Sequence, residues 1–324
     1  MKTRRLVLAS IAILAALGLT QAAQAQDWPR RTVKIIVPTG AGGNSDGIAR
    51  IIAQRLSDTF GQQFIVENKP GAAGVLAAEA AARSPADGYT LFLGSPSQIS
   101  IAPAIRKSPY DPVKDFAPIS VIGTNAKVFA VHSSMPVKSL AEFVDYVRKQ
   151  PNQFAFADTG ASSISHLSTV LFLKRAGLDM ISVSYKTASQ IVADVIAGHV
   201  PPYFTNLSDV HPYAVSGALR LLAISSKKRA PQVPDVPTFI ESGFPDFTIV
   251  TWNGLMAPAG TPKEIIDRIA KEIARAVKDP SVAERLDANG VDTFSNSPEE
   301  FAAMIAADIA LWGEAVKIAG VQEK

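Results

Sequence analysis

Residues 33–56 contain a strand, a glycine-rich loop and a helix, and they read VKIIVPTGAGGNSDGIARIIAQRL. The apolar run at residues 33–37 is typical of a strand buried in a parallel sheet. Beyond the loop, apolar residues recur at helical spacing on one face, at Ile48, Ile51, Ile52 and Leu56. A strand followed by a helix in this way predicts one unit of an α/β fold.

The same alternation of strands and helices continues through most of the chain. Further apolar runs predict strands at residues 64–66, 89–93, 121–122, 128–131, 154–156, 181–185, 203–204 and 219–224. Helical patterns predict helices near 75–82, from 139 onward, at 167–174 and at 191–197, with more helices starting near 261, 281 and 297. The predicted fold class is therefore α/β, with parallel or mixed sheets, and 324 residues indicate two domains of roughly 150 residues each.

Residues 1–25 have the pattern of a secretory signal peptide. Lys2, Arg4 and Arg5 precede an uncharged run at 6–19, and an A-x-A cleavage site follows at 23–25. Arg4-Arg5 leaves both the general and the twin-arginine export routes open. The segment holds three of the 32 Lys and Arg residues and no acidic residue, so the exported chain has zero formal net charge. We therefore expect an exported protein that does not bind nucleic acid.

Composition and motifs argue against the common enzyme classes. The chain has no cysteine, which excludes a thiolate nucleophile and a Cys-ligated metal site. The four histidines lack metal-ligand spacing, and no G-x-S-x-G turn is present. The glycine-rich loop lacks the Lys-Ser/Thr of a P-loop and the third glycine of the dinucleotide motif. We expect no catalytic residues, no metal and no cofactor.

The loop that follows the first strand is the first candidate site. Its glycines permit close approach of the backbone, and the next helix points free N–H groups and its positive dipole end at the loop. A carboxylate needs only such amides and a few hydroxyls. The candidate residues are Thr39, Gly40, Ala41, Gly42, Gly43, Asn44, Ser45 and Asp46. Asp46 fits a helix cap better than a catalyst, and tight strand–helix packing alone remains the alternative for the loop.

A second polar loop has the same arrangement between the strand at 154–156 and the helix at 167–174. Its hydroxyls and helix N-terminal amides also suit an oxyanion, although a heavily capped helix start is the alternative. The candidates are Gly160, Ser162, Ser163 and His166, with Ser95 as a further hydroxyl after the third strand. His166 is expected to hydrogen-bond within its loop rather than to act as a base.

Several short phrases, in one order along the chain, resemble the Bug/TctC-type periplasmic solute-binding proteins of tripartite tricarboxylate transporters. The phrases are IVP at 36–38, AGGNSD at 41–46, VENKPG at 66–71, ADGYTL at 86–91, YDPVKDF at 110–116, SYK at 184–186, VPDVPT at 233–238 and LMAPAGTP at 255–262. The resemblance covers essentially the whole chain after residue 25. It is specific for the family, though not for a ligand.

The resemblance implies a two-domain, type II Venus-flytrap fold in which each domain is a mixed sheet flanked by helices. It implies a first domain made of residues 26–123 and 250–324, and a second domain of residues 124–249. It also implies that the loop at 39–46 binds a ligand carboxylate through backbone amides and waters. The loop at 160–166 would close over the ligand from the other domain.

The chain departs from the family pattern where selectivity would be set. Thr39-Gly40 replaces a common Phe-Pro, Ser162 replaces a glycine, and Thr187 stands where glycine is usual. Thr205 occupies a position where the family often has Asp, so a partner for an amino group is lost. This favours a carboxylate with hydroxyl or neutral polar substituents over an amino acid.

The function expected from the resemblance is capture of a small organic carboxylate and its delivery to the permease subunits of a tripartite tricarboxylate transporter. We expect the protein to act as a monomer. The first alternative is a periplasmic sensor that presents its closed form to a two-component receptor kinase. A secreted hydrolase or isomerase is a weaker alternative, because no nucleophile–base pair is found.

Overall fold

The computed structural model describes residues 28–150, 153–185, 187–199 and 202–322, and the expected signal peptide lies outside these ranges. The strands are β1 (Val33–Val37), β2 (Phe64–Asn68), β3 (Thr90–Gly94), β4 (Phe116–His132), β5 (Ala155–Asp158), β6 (Ile181–Ser184), β7 (Tyr203–Asn206), β8 (Leu219–Ile224), β9 (Val250–Pro258) and β10 (Asp292–Thr293). The helices are α1 (Asn44–Phe60), α2 (Val75–Ala82), α3 (Ala102–Ile105), α4 (Leu140–Arg148), α5 (Ile164–Ala176), α6 (Ala188–Ile196), α7 (Leu207–Val215), α8 (Lys263–Ala276), α9 (Pro280–Asp287) and α10 (Pro298–Ala319). Within the described ranges, no helix combines the length and the apolar character needed to cross a membrane.

The strands form two mixed sheets that share β4. In the first sheet β2, β1 and β3 are parallel, and β9 lies antiparallel between β3 and the first half of β4. In the second sheet β6, β5 and β7 are parallel, and the second half of β4 lies antiparallel between β7 and β8. The α/β class and the mixed sheets predicted from the sequence are confirmed.

Strand β4 is a single strand of 17 residues, so the prediction of two separate strands at 121–122 and 128–131 is wrong. The polar sequence at 123–125 interrupts the apolar pattern, yet its backbone stays extended because it pairs with residues 251–253 of β9. Ala126 is the last residue of β4 paired in the first sheet, and Lys127 is the first one paired in the second. The chain therefore passes from one sheet to the other without a turn.

Each sheet has helices on both faces, which defines two lobes. In the first lobe α1, α8 and α9 cover one face of the first sheet, and α2 and the start of α10 cover the other. In the second lobe α4, α5 and the end of α10 cover one face of the second sheet, and α6 and α7 cover the other.

Helix α10 contributes to the cores of both lobes. Phe301 and Ile305 pack in the first lobe, whereas Trp312, Ala315 and Val316 pack in the second. In the described part of the chain, β4, the segment between β8 and β9, and α10 thus connect the lobes at three places. These connections leave a cleft between the lobes on the side of the strand ends.

Candidate functional site

A cavity of about 810 Å³ lies in this cleft and is lined by residues of both lobes. The first lobe contributes the residues after β1, the turn at 71–74 and the segment at 97–106. The second lobe contributes Lys127 of β4, the residues after β5, strand β7 and the starts of α6 and α7. Ligands of α/β proteins bind at the carboxyl ends of strands, where most of these residues lie. The cavity is therefore the candidate binding site.

The first predicted loop contributes Thr39 to the cavity wall. Residues 40–44 of the same loop are exposed, and neither Ser45 nor Asp46 lines the cavity. Gly42 has φ +82°, a conformation that favours glycine, and the Asn44 side chain donates to the Asn289 carbonyl at 2.6 Å. Of this loop, the structure thus places only Thr39 in the cavity wall.

Asp46 holds the first loop in shape. Helix α1 begins after Gly43, so Asp46 lies in the first turn and is not the helix cap that the sequence suggests. Its carboxylate accepts hydrogen bonds from the Gly42 backbone N–H and the Arg50 guanidinium, both at 2.9 Å, and from Asn68 at 2.9 Å. The Arg50 guanidinium, aided by the Gly42 and Asn68 donors, lowers the pKa of Asp46 to about 2. The Asp46–Arg50 ion pair, together with the hydrogen bonds from Gly42 and Asn68, therefore fixes the shape of the loop.

The hydroxyl of Thr39 is buried without a hydrogen-bond partner among the described residues. Unpaired buried hydroxyls are uncommon in folded proteins because burial removes their bonds to water. Because Thr39 also lines the cavity, a rotation of its side chain would bring Oγ1 to a group placed in the cleft.

The second predicted loop contributes Thr159 and residues 161–165 to the wall, including Ser162 and Ser163. Ser163 is the N-cap of α5, and its Oγ accepts from the His166 backbone N–H at 3.1 Å. Gly160 and His166 support the loop from behind the cavity wall. Two of the four loop candidates thus face the cleft directly.

Buried Asp158, at the end of β5, organises the second loop. Its carboxylate accepts from His166 Nδ1 at 2.8 Å, Ser182 Oγ at 2.6 Å, Ser184 Oγ at 2.7 Å and the Gly160 N–H at 2.7 Å. Burial acts to raise the pKa of Asp158, but these hydrogen bonds outweigh it and lower the pKa to about 2. A carboxylate only accepts hydrogen bonds, so Nδ1 is the protonated nitrogen of His166. His166 hydrogen-bonds within its loop, as the sequence predicts.

Sequence reasoning misses three charged side chains of the cavity wall, namely Arg106, Lys127 and Asp209. Arg106 is half-buried and donates to the Ala72 carbonyl at 3.3 Å. Lys127 is 6% exposed and donates through Nζ to Asn206 Oδ1 at 3.0 Å. The expectation that amides and hydroxyls alone favour an anion is therefore incomplete.

Thr205 lines the cavity, as predicted, and its hydroxyl donates to Asp209 Oδ2 at 2.6 Å. The inference that an acidic group is missing there is wrong, because Asp209 brings a carboxylate into the cavity wall from the first turn of α7. The cleft thus retains an acceptor for an amino or hydroxyl group of a ligand.

Two further predicted residues, Ser95 and Thr187, also lie outside the cavity wall. Ser95 donates to Gln98 Oε1 at 2.8 Å, and it is Gln98 that lines the cavity. Thr187 is exposed and is the N-cap of α6, where its hydroxyl accepts from the Gln190 N–H at 3.3 Å. No group of three or more His, Asp or Glu residues in the described ranges is placed to hold a metal ion.

A two-lobed α/β protein with a polar cleft between its lobes has the architecture of a periplasmic solute-binding protein, and solved structures of such proteins share the fold. The family model described as "Tripartite tricarboxylate transporter family receptor", TctC, matches residues 48–321. The chain belongs to this family, whose members are solute-binding proteins and not enzymes.

Individual relatives agree with this assignment. Protein BugT of Bordetella pertussis is 34% identical over 327 residues, covering 99% of each chain. The structure of R. palustris Rpa4515 with adipate has a TM-score of 0.76 at 34% identity and covers 90% of this chain and 98% of its own. MatC from Rhodopseudomonas palustris, with bound malate, has a TM-score of 0.72 at 30% identity and covers 89% of this chain and 100% of the MatC chain.

Proposed function

We propose that this protein captures a small organic carboxylate in the cleft and delivers it to the permease subunits of a tripartite tricarboxylate transporter. The observation that carries the proposal is the cavity wall, in which both lobes present donors that lack an internal partner or carry positive charge. Thr39 Oγ1 is unpartnered, and Lys127 and Arg106 are cations without an ion pair among the described residues. Carboxylates are the small anions that such donors bind with charge-assisted hydrogen bonds.

The relatives support the same ligand class, because two solved members of the fold hold adipate and malate. Binding between the lobes would favour the closed arrangement, since a ligand shifts a conformational equilibrium toward the state that it binds better. The permease would then recognise the closed form.

The remaining expectations belong to this proposal. Residues 1–25 would direct export to the periplasm and be cleaved there, and the protein would act as a monomer. The domains would divide at 123/124 and 249/250, with the end of α10 reaching across to the second domain. Residues 40–46, together with Gly160 and His166, would shape the loops that bring Thr39, Ser162 and Ser163 to the ligand.

The proposal predicts stabilisation by carboxylates. A thermal-shift screen would compare mono-, di- and tricarboxylates with sugars and amines at pH 7. A carboxylate at 100 times its Kd should add about 2.7 kcal/mol to the free energy of unfolding and raise the Tm accordingly. Stabilisation by a sugar or an amine, with none by any carboxylate, would refute the proposal.

Thr39→Val tests the first loop directly. Valine keeps the shape of threonine, and Oγ1 has no partner in the protein, so the variant should be as stable as the parent. Loss of one hydrogen bond to a charged ligand should weaken carboxylate binding about tenfold, measured by calorimetry.

Thr251→Val is the matched control, because Thr251 Oγ1 is also buried and unpartnered but does not line the cavity. The carboxylate affinity of Thr251→Val should equal that of the parent protein. Equal affinities in both variants would place the ligand away from Thr39.

A further inference from the structure

Lys127 lies where β4 passes from one lobe to the other. Its backbone is fixed by Ser225, because its N–H donates to Ser225 Oγ at 3.2 Å and its carbonyl accepts from the Ser225 N–H at 2.8 Å. It pairs in register with Asn206 of β7, which also lines the cavity. The side chain therefore enters the cleft from its floor, whereas the two loops reach the cleft from strand ends.

The ammonium group of Lys127 is incompletely paired. It is buried, and of its three N–H donors one is used, toward Asn206 Oδ1 at 3.0 Å. None of the ion pairs of the described residues includes it, and Asp209 acts on it at longer range. A buried cation is costly unless it is paired.

Burial lowers the pKa of the Lys127 ammonium to about 8, opposed by the Asp209 carboxylate. Because that pKa still lies above neutrality, most of the amine carries its charge at pH 7. An acid group of a ligand would supply both the missing hydrogen bonds and the missing counter-charge.

The charges of the wall favour a ligand with two acid groups. Arg106 and Lys127 against Asp209 leave one formal positive charge in the wall. Helices α5, α6 and α7 also begin at the wall, where Ser163, Ala188 and Asn206 line the cavity. Each helix N-terminus adds about half an elementary charge, about one and a half for the three, so the wall can offset more than one negative charge.

We infer that Lys127 is a specificity-determining residue that binds a second acid group of the ligand at the floor of the cleft, while the loops hold the first. The inference rests on the proposed function and narrows it to ligands that carry two carboxylates. The Lys127–carboxylate contact would be direct, and Asn206 would orient the ammonium from the opposite side.

Calorimetry at pH 7 with matched acids tests the inference. Adipate would be compared with hexanoate, glutarate with pentanoate and succinate with butyrate, so that each pair differs in one carboxylate. The protein should bind at least one diacid about tenfold or more tightly than its monoacid partner, as expected for a charge-assisted hydrogen bond.

Lys127→Met should remove this preference. It should weaken diacid binding about tenfold or more and change monoacid binding less than about threefold. Lys127→Arg, which keeps the charge, should restore part of the preference. Lys271→Met, on the exposed side of α8 and away from the cavity, is the control for loss of charge and should behave as the parent.

The outcomes separate the two proposals. Equal binding of diacids and monoacids by the parent protein, a result that needs no variant, would overturn the role of Lys127 and leave carboxylate capture standing. If Lys127→Met still prefers the diacid, the role of Lys127 would likewise be overturned and carboxylate capture would stand. Failure of every acid to bind would overturn carboxylate capture, and the role of Lys127 with it.

Discussion

Replacing Trp312 by alanine is expected to lower the free energy of unfolding by about 3–5 kcal/mol, the range for a fully buried tryptophan. Trp312 has no exposed surface and packs in the core of the second lobe. Its Nε1 donates to Asp308 Oδ1 at 3.1 Å, and Asp308 also accepts from Ser100 Oγ at 2.6 Å and Trp252 Nε1 at 3.1 Å. The change therefore removes a core side chain and one bond of a buried network that joins α10 to the first lobe. Urea unfolding followed by circular dichroism would measure the loss.

Trp312→Phe separates packing from hydrogen bonding. Phenylalanine keeps an aromatic ring in the core but has no N–H for Asp308, so its cost should be about 1–2 kcal/mol. A cost below about 1 kcal/mol for the alanine variant would contradict the view that the end of α10 secures the second lobe.

Replacing Asp158 by asparagine should cost about 2–4 kcal/mol, the second large effect. The carboxylate accepts four hydrogen bonds, and an amide at the same place would turn an NH₂ group toward two of those donors. The second loop would lose its fixed shape, so carboxylate affinity should fall together with stability. Urea unfolding and calorimetry on the same variant would measure both effects.

The stability gained from Asp158 should depend on pH with a definite sign. The folded pKa, about 2, lies below the ordinary value of 3.8, so the gain is fully present above about pH 5. It is lost as the pH falls toward 2, and about half of it should be gone by pH 3. The difference between the parent and the asparagine variant should shrink over that range.

Asp145→Asn provides the matched control for this series. Asp145 lies in the same lobe, its side chain is 67% exposed, and it pairs with Arg148 across one helical turn. Its replacement should change stability by less than about 0.5 kcal/mol at every pH. A difference between the parent and Asp158→Asn that stays constant down to pH 3 would show that hydrogen bonds do not depress the pKa of Asp158.

Local patterns predict the elements that lie within one lobe. The strand at 33–37 and the helix at 75–82 have the bounds that apolar periodicity indicates. Ser297 and Glu300 form a capping box at α10, as their spacing suggests. The same spacing of Ser139 and Glu142 predicts a capping box at α4, but there Ser139 caps the helix while Glu142 accepts from the Lys138 N–H instead of from the Ser139 N–H. The type of element followed from the sequence, but the detailed partner did not.

Elements that connect the lobes are harder to predict from local patterns. Strand β4 changes its neighbours midway, so its polar centre resembles a turn although it is extended. Helix α10 faces two cores in succession, so it shows no single apolar stripe. In both cases the burial depends on tertiary contacts that periodicity does not report.

In the candidate site, too, some residues follow from local sequence patterns and others do not. Glycine, serine and threonine after a strand indicate a loop that can bind a ligand, and this pattern predicts Thr39, Ser162 and Ser163, whereas Thr205 is predicted from the family resemblance. Asp209 lies just beyond the end of β7, so polar residues after strands indicate it as well. Lys127 and Arg106 have no such signal, since a strand interior and the end of a short helix give no reason to expect a cleft.

The unbroken passage of β4 between the lobes has a mechanical consequence for recognition. If one lobe rotates about this strand, the displacement of any atom grows with its distance from the rotation axis. Thr39 and Ser162, which lie away from β4, would travel further than Lys127, which would stay nearly still. The floor of the cleft would then meet the same part of the ligand in open and closed forms. Selection for that part would then precede closure, and contacts at the opposite end of the ligand would govern how firmly the lobes are held together.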